Sequence, residues 1–197
     1  MSSAHVKAQR YFPLFLHLEG RDVLVVGGGK VAHEKAAALS AAGARISVVA
    51  PEVCRELSAL ADTTAHRAFV DADVDGAWLV IAAATPAVNL EAKRAADARR
   101  VFVVAVDDLA SCSAIGAAQL HRGGLTIAIS SDGRAPGLVA LLRRALEDVL
   151  PDDVAEWVGL AERLRVAWKS ASVPLSDRRP LLLRALNSMY ARAEGPP

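Results

Sequence analysis

The sequence predicts an α/β protein: a parallel β-sheet domain, then a small region of one β-hairpin and one helix, then a helical region. Three observations support this prediction. Short valine- and isoleucine-rich runs alternate with alanine-rich stretches of helical length, as in a parallel sheet covered by helices on both faces. A glycine-rich turn follows the first of these runs. Beyond about residue 110 the alternation stops, and a hairpin pattern and helical patterns follow.

Composition limits the class of protein. The chain has 197 residues, 53% of them hydrophobic and 23% charged, so it can bury a core and is not disordered. The net charge of +1 gives no electrostatic reason to expect a nucleic-acid partner. Cys54 and Cys112 match neither a zinc site nor a redox CxxC motif. The N-terminus lacks a signal-peptide core and no apolar run reaches the ~18 residues of a membrane span, so we expect a cytoplasmic protein without membrane contact.

Residues 1–110 are predicted to form the parallel sheet and its helices. We expect strands at Asp22–Val26, Arg45–Ala50, Ala65–Phe69, Trp78–Ala83 and Val101–Val106. We expect helices at Val31–Ala42, Pro51–Ala61 and Ala87–Arg99. Strands and helices that alternate in this way are typical of βαβ units.

Gly27, Gly28 and Gly29 separate the first strand from the first helix and match the pattern Gly27-x-Gly29-x-x-Ala32. In a Rossmann-type domain the first glycine permits the tight turn, and the second lets a pyrophosphate approach the backbone. The small last residue allows close helix–strand packing. The phosphate would lie on free N–H groups at the helix N-terminus. The alternative is a glycine-rich turn that binds nothing.

The end of the second strand lacks the acidic residue that usually holds the cofactor ribose. The strand closes with Ala50-Pro51, and Glu52 follows slightly late. Glu52 either binds the ribose or is an ordinary acid in the first turn of a helix. NAD is favoured over NADP because no arginine stands at the strand end, although Arg55 one turn later weakens this preference.

Asp107 follows the last predicted strand of the sheet, and ligands of open α/β sheets bind beyond the carboxyl ends of the strands. A carboxylate there can accept a proton or hold a metal ion. A turn or helix-cap aspartate is an equally good interpretation. The adjacent Asp108 is a like charge that can raise the pKa of one of the two carboxyl groups.

Residues 111–150 are predicted to form a dimerisation region. Ala114–Leu120 and Leu125–Ser130 flank a glycine-rich turn and indicate a hairpin, a turn follows at 131–133, and a helix runs from Pro136 to Leu150. A lone two-stranded hairpin is not stable by itself, so we expect it to pair with a second chain in a homodimer.

Residues 151–197 are predicted to be helical, because apolar residues from Val154 to Trp168 have helical spacing and a second amphipathic helix includes Leu182 and Tyr190. Ser176 is a candidate cap for this last helix, although Pro180 leaves its start open. We expect the last residues, 195–197, to be frayed.

The motifs in their order resemble the precorrin-2 dehydrogenase family, the dehydrogenase and ferrochelatase part of siroheme synthase, and the resemblance covers almost the whole chain. The segments that carry it are Tyr11–Phe15, Val25–Ala32, Lys35-Ala36, Gly43-Ala44, Val48–Pro51, Ala83–Thr85, Asn89, Val106-Asp107, Ile127–Gly133 and Ala135–Pro151.

The resemblance implies a reaction: NAD accepts a hydride from precorrin-2, which gives sirohydrochlorin. Some members then insert Fe²⁺ to give siroheme, and related ones insert Co²⁺. It also implies an intertwined homodimer, in agreement with the unpaired hairpin. It implies that Asp107 serves both steps as proton acceptor or metal handler. The family places NAD at Lys30, Val31, Pro51, Glu52 and Thr85.

The resemblance places Ser131 at the tetrapyrrole pocket, and this serine can be phosphorylated in some members. The neighbouring Asp132, Gly133, Arg134 and Pro136 are candidate substrate-binding residues. Arg134 and the free N–H groups near Pro136 suit a substrate with many carboxylates.

Other polar residues allow two interpretations each. Arg143 and Arg144 either meet substrate carboxylates or lie on solvated helix surface. His121 is either a ligand or an exposed hairpin residue, and Cys112 is either a metal ligand or structural.

Four positions depart from the pattern of many members. Val104 replaces an asparagine, Ala114 and Ala117 replace a phenylalanine and a proline, and Glu34 replaces an arginine. They bear on substrate fit and metal insertion more than on NAD binding. They leave two alternatives open: a dehydrogenase without chelatase activity, and a non-catalytic sensor module that binds NAD or a tetrapyrrole.

Overall fold

A computed structural model describes residues 11–193, with the side chains of residues 11–190. This part of the chain forms two compact units. The first extends to Gly116 and includes Asp132–Arg134, and the second comprises Ala117–Ser131 and the residues from Ala135 onward. The predicted three-region division stays a prediction, and the predicted fraying of residues 195–197 lies outside the described residues.

The first unit is built on a five-stranded, fully parallel sheet with strand order β3-β2-β1-β4-β5, as the Rossmann-type prediction requires. Because chain order reverses on either side of β1, the sheet has a topological switch point between β1 and β4. The strands are β1 (Asp22–Val26), β2 (Arg45–Val49), β3 (Thr63–Ala65), β4 (Leu79–Ala82) and β5 (Phe102–Ala105), and the helices are α1 (Lys30–Ala41), α2 (Arg55–Leu60) and α3 (Pro86–Arg99).

The alternation of side chains along β1 divides the core into two layers. Val23 and Val25 point into the layer that contains α1 and α2, whereas Leu24 and Val26 point into the layer that contains α3. All four are buried, because successive side chains of a strand face opposite sides of the sheet. Ala32, the small third residue of the glycine motif, is fully buried and lets α1 pack closely against the sheet.

Two predicted elements of the first unit are shorter in the structure. The predicted strand Ala65–Phe69 is wrong, because β3 covers Thr63–Ala65 and pairs with β2 through β-branched threonines. Phe69 lies instead in the loop after β3, with its side chain against the α3 layer. Likewise, α2 begins at Arg55, four residues after the predicted start at Pro51.

The second unit consists of a hairpin and three helices. Strands β6 (Ala118–Arg122) and β7 (Leu125–Ile129) form an antiparallel pair that is a separate two-stranded sheet. Gly123 and Gly124 form its turn with φ values of +56° and +81°, a conformation that glycine adopts readily. The helices are α4 (Pro136–Val149), α5 (Val154–Ser170) and α6 (Leu175–Ala193).

Helix α6 begins earlier than the candidate cap predicts. It starts at Leu175, so Ser176 lies inside the first turn instead of before it, and Pro180 is accommodated within the helix. The Trp157 indole N–H on α5 donates to the Tyr190 hydroxyl on α6 at 2.7 Å, which ties these two helices together. No helix within residues 11–193 combines the length and apolar character needed to cross a bilayer.

Candidate functional site

A cleft of about 540 Å³ opens at the carboxyl ends of the central strands of the first unit. It lies at the switch point between β1 and β4, where ligands of open α/β sheets bind. The predicted residues Gly27, Gly28, Pro51, Glu52 and Thr85 all line it. The sheet therefore brings together five residues that lie on three separate loops of the chain.

Two of the glycines at this cleft cannot carry a side chain. Gly27 has φ +124°, and a Cβ atom there would lie 2.3 Å from the carbonyl oxygen of Ala83. At Gly28 a Cβ atom would lie 1.8 Å from the carbonyl oxygen of Glu52. The first loop of the sheet therefore packs directly on the backbones that follow β2 and β4, which brings these three loops together.

Gly29 differs from its two neighbours, because a Cβ atom built on it meets no atom of the described residues within 4 Å. Its backbone has φ −85° and ψ −175°, which any residue can adopt. Within residues 11–193, neither a turn nor packing requires glycine at this position. The open space beside its backbone suits the close approach of a pyrophosphate.

Gly29 is also the N-cap of α1, and it offers the helix no side-chain cap. The next residues, Lys30 and Val31, are exposed, and no acidic residue stands in the first turn of this helix. The first N–H groups and the positive end of the helix dipole are therefore available to an anionic ligand. The glycine loop and this helix start fit the pyrophosphate of NAD.

The far side of the cleft is closed by the loop after β3, which contributes Ala68 and Phe69. An ion pair braces this loop: the Arg67 guanidinium donates to both carboxylate oxygens of Asp73, at 2.8 and 2.5 Å. The Asp73 carboxylate also accepts a hydrogen bond from the Val70 amide at 2.9 Å. The bonds from Arg67, reinforced by the Val70 amide, hold the pKa of Asp73 below its usual range.

The loop between β4 and α3 forms the third wall. Ala83, Ala84 and Thr85 line the cleft, and Thr85 is the N-cap of α3. The Asn89 side chain reaches back from the first turns of that helix and accepts a hydrogen bond from the Ala84 amide at 3.0 Å. Sequence reasoning included Asn89 in the family pattern but assigned it no role. The sequence did contain a signal for such a role: Asn89 is a polar residue on a helix face whose other buried residues are alanines.

Asp107 lies in an exposed turn immediately after β5, with φ +56°. A left-handed conformation is uncommon for a residue other than glycine, although aspartate tolerates it better than most. Such conformations persist where surrounding contacts hold them and are concentrated at functional sites. The Asp107 carboxyl thus stands at the carboxyl edge of the same sheet, although it does not line the nucleotide cleft.

Cys112 helps to hold the Asp107 turn. Its sulfur accepts a hydrogen bond from the Ala105 amide at 3.1 Å and lies 3.4 Å from the carbonyl oxygen of Asp108. Burial raises the pKa of this thiol, so the cysteine stays protonated. Within the described part of the chain, no three His, Cys, Asp or Glu side chains are grouped as metal ligands. The contacts give Cys112 a structural role.

Asp108 caps the short 3₁₀ turn after Asp107. Its carboxylate accepts hydrogen bonds from the amides of Ala110 and Ser111, at 3.1 and 3.3 Å. A hydrogen bond from the Ser111 hydroxyl, followed by these amide bonds, holds the pKa of Asp108 below its usual range. A raised pKa, expected for one of the two adjacent carboxyl groups, is therefore not found at Asp108.

The predicted substrate residues fall in both units. Asp132 and Gly133 form a turn with φ values of +53° and +73°, and a Cβ atom on Gly133 would lie 2.4 Å from the Leu109 side chain. This turn thus packs beside the segment that follows Asp107. Arg134 lies 3.7 Å from the Asp132 carboxylate. In the second unit, Ser131 accepts a hydrogen bond from the Ala135 amide at 2.9 Å.

Pro136 is the first residue of α4, so the neighbouring N–H groups lie at a helix start as expected. His121 is exposed on β6 and lies 3.1 Å from Thr126 across the hairpin, in agreement with the structural interpretation. Arg143 pairs with Glu147 at 2.9 Å, and Arg144 is exposed.

Comparison with known proteins gives matches along most of the chain. A family described as putative NAD(P)-binding matches residues 14–118, and the central domain of sirohaem biosynthesis proteins matches residues 122–148. The siroheme synthase of Pseudomonas paraeruginosa is 42% identical over 86% of this chain. Siroheme synthase 2 of Aeromonas salmonicida is 41% identical over 90% of it. The chain spans only 37% and 38% of the length of these two relatives.

One solved structure covers the chain almost completely. It is described as SirC, a precorrin-2 dehydrogenase, and it superposes with a TM-score of 0.68 at 25% sequence identity. The superposition covers 88% of each chain. The parallel sheet, the hairpin and the helices that follow therefore occur together in a protein of similar length.

Proposed function

Because the chain belongs to the putative NAD(P)-binding family and also matches the central domain of sirohaem biosynthesis proteins and the structure of a precorrin-2 dehydrogenase, we propose that it oxidises precorrin-2 to sirohydrochlorin with NAD as oxidant. The observation that carries this proposal is the cleft at the switch point of the sheet. Next to the lining residues Gly27 and Gly28, Gly29 leaves open space beside the uncapped start of α1. This arrangement suits a dinucleotide and explains why the glycine motif is present.

In the proposed complex, the amides at the start of α1 bind the pyrophosphate, and Pro51, Glu52 and Thr85 line the space for the rest of the nucleotide. Bound NAD supplies a two-electron acceptor, so that precorrin-2 loses one hydride and one proton as NADH and sirohydrochlorin form. Phe69 and Val88 form an apolar part of the cleft wall, as is usual for cofactor sites. No basic side chain lines this cleft among the described residues, which supports NAD over NADP.

We assign Asp107 to accept the proton that leaves precorrin-2. Its carboxyl is exposed at the end of β5, beyond the same edge of the sheet, so it is accessible to a substrate placed next to the nucleotide. The strained turn that carries it is braced by Cys112 and Asp108, which supports a catalytic role over that of a simple turn residue.

The carboxylates of the tetrapyrrole are proposed to meet Arg134 and the turn Asp132–Gly133, with Ser131 and the N–H groups near Pro136 as further donors. A charge-assisted bond from a guanidinium is the strongest contact available to such a substrate. The position of Gly133 beside Leu109, close in sequence to Asp107, supports this assignment.

Insertion of Fe²⁺ or Co²⁺ into sirohydrochlorin is the second activity that the family resemblance predicts, with Asp107 as the metal-handling residue. The described residues offer no group of three ligands, so any metal contact by Asp107 would be made with the tetrapyrrole as the main ligand. Incubation of the protein with sirohydrochlorin and either ion, compared with the enzyme-free rate, tests this step separately.

A homodimer is also part of the proposal. The hairpin β6–β7 is a sheet of only two strands, and α4 exposes a stripe of leucine and valine side chains. An exposed apolar stripe of this kind is typical of a protein–protein interface, and a two-stranded sheet has edges to which a second chain can add. The cytoplasmic localisation remains a prediction from the sequence.

The test is an anaerobic incubation of the purified protein with enzymatically made precorrin-2 and NAD, without metal. NADH and sirohydrochlorin should appear together, above the enzyme-free control. NAD binding without either product would reject the dehydrogenase and favour the sensor module instead.

A further inference from the structure

Asn89 is one of two polar residues that are buried within the described part of the chain, with only 3% of its surface exposed. It lies on α3 among Ala92, Ala95 and Ala96, in the layer of the core below β4. A buried amide group costs free energy unless its hydrogen bonds are made, so such a residue needs a reason to be there.

The hydrogen bond of Asn89 goes to the wall of the nucleotide cleft. Its Oδ1 atom accepts from the Ala84 amide at 3.0 Å, in the loop that joins β4 to α3. The same backbone segment is anchored on its other side, where the Ala83 amide donates to the carbonyl oxygen of Val26 at 2.8 Å. The two bonds fix both amides of the Ala83-Ala84 segment.

This peptide is the surface on which the first glycine of the motif lies. A Cβ atom on Gly27 would stand 2.3 Å from the Ala83 oxygen and 3.1 Å from the Ala84 nitrogen, so the two backbones are in direct contact. A rotation of the Ala83-Ala84 peptide would therefore press on the glycine turn. The contact runs from Asn89 through one peptide to the loop that would hold the pyrophosphate.

We infer that Asn89 is a positioning residue for the nucleotide: it locks the peptide between Ala83 and Ala84 in the orientation that keeps the glycine loop open for NAD. This inference rests on the proposed cofactor function. A role in helix stability alone does not explain the bond, because the Ala84 amide precedes the N-cap Thr85 and is not one of the amides of α3.

The experiment compares Asn89→Ala with Glu91→Ala, an exposed position on the same helix, and with Asn89→Asp, which retains an acceptor oxygen. Two quantities are measured in each folded protein: hydrogen exchange of the Ala84 amide by NMR, and the Kd for NAD by calorimetry. Loss of one buried hydrogen bond is expected to speed Ala84 exchange and to weaken NAD binding by about tenfold. Asn89→Asp restores both quantities, and Glu91→Ala leaves both unchanged.

Each outcome decides the matter. If Ala84 exchanges faster in Asn89→Ala while the Kd for NAD stays at the wild-type value, Asn89 is structural and the inference is wrong. If Ala84 exchanges at the wild-type rate in Asn89→Ala, the hydrogen bond from Ala84 to Asn89 does not hold the loop, and the inference is wrong. If the wild type binds no NAD, the cofactor function has failed, and the nucleotide role of Asn89 fails with it even where the exchange result is as expected.

Discussion

The three consecutive glycines after β1 differ in how far the structure requires them. Gly27 needs a positive φ and close contact with Ala83, and Gly28 needs close contact with the Glu52 backbone. Gly29 needs neither, because its conformation is ordinary and the space beside it is open. Packing accounts for the first two glycines, and the proposed binding of the NAD pyrophosphate would account for the third.

Substitution of these neighbours therefore separates folding from binding. Gly29→Ala is expected to fold, with a loss of only about 1 kcal/mol for an alanine at the N-cap, and to weaken NAD binding by about tenfold or more because its methyl group enters the phosphate space. Gly28→Ala is expected to be strongly destabilised, because its Cβ would overlap a backbone oxygen. Thermal unfolding and NAD titration measure both effects, and an unchanged Kd in Gly29→Ala would place the phosphate elsewhere.

The role of Asp107 is tested with a variant that preserves its turn. Asparagine tolerates a left-handed conformation as aspartate does, so Asp107→Asn removes the base without straining the backbone. We expect kcat for NADH formation to fall by roughly 10²- to 10⁴-fold, the usual contribution of a general base, with the Kd for NAD unchanged. Asp108→Asn is the matched control, because it retains the cap acceptor. Equal rates in wild type and Asp107→Asn would contradict the assignment.

The loop after β3, which lines one side of the cleft, has little regular secondary structure. An ion pair between Arg67 and Asp73 holds it in place. The Arg67 guanidinium and the Val70 amide both donate to the Asp73 carboxylate. Phe69, which lines the cleft, lies between Arg67 and Val70 in the sequence. Because the folded pKa of Asp73 is lowered, its contribution to stability is present above the unfolded value of 3.8 and is lost as the pH falls through the folded value.

We therefore expect Asp73→Asn to lower the urea midpoint of unfolding and to weaken NAD binding at pH 7. The stability difference from wild type should persist at about pH 5 and shrink below pH 3.8, as Asp73 becomes protonated first in the unfolded chain and then, at lower pH, in the folded protein. Glu91→Gln on the exposed face of α3 is the control. A difference that stays constant down to the acid limit would show that the charge of Asp73 is not involved.

The elements most accurately predicted from sequence are those with their own local signals. β1 and the start of α1 follow from an apolar run and three glycines, and α4 follows from Pro136 and Pro151 at its two ends. The predicted strand Ala65–Phe69 was wrong because the apolar side chain of Phe69 lines the cleft and does not belong to a strand. Composition alone does not distinguish these two uses of an apolar side chain.

Within the site, the residues that belong to a sequence motif were predicted. The roles that depend on tertiary contacts were not predicted. The position of Asp107 after β5 follows from strand order, but its φ of +56° depends on contacts with Cys112 and Asp108 that only the fold brings together. The role of Asn89 likewise depends on a hydrogen bond from a backbone amide. The sequence cannot show such a bond, and the polarity of Asn89 is its only sign.

At the scale of the whole molecule, the second unit exposes a row of large apolar side chains on α4. Leu141 and Val149 on α4 are 69% and 77% exposed, and with Leu138 and Leu142 they form one stripe along the helix. The hairpin of the same unit forms a sheet of its own. The homodimer proposed above would cover this surface.

Leu141→Glu tests this assembly. A charge in the centre of the stripe is expected to shift the protein from dimer to monomer, by at least tenfold in the dimer dissociation constant, as measured by sedimentation equilibrium. Ala140→Glu, on the opposite side of α4, is the matched control and should remain dimeric. A wild type that sediments as a monomer at micromolar concentration would reject the dimer.

The most direct test of the central claim is the stoichiometry of one anaerobic turnover, measured in wild type and Gly29→Ala together. The proposal predicts one NADH for each sirohydrochlorin formed by the wild type, and no product without NAD. It predicts that Gly29→Ala is slow at limiting NAD and recovers at high NAD. Sirohydrochlorin formed at the same rate without NAD, or an unchanged NAD dependence in Gly29→Ala, would contradict the assignment of this cleft as the site of a dehydrogenase cofactor.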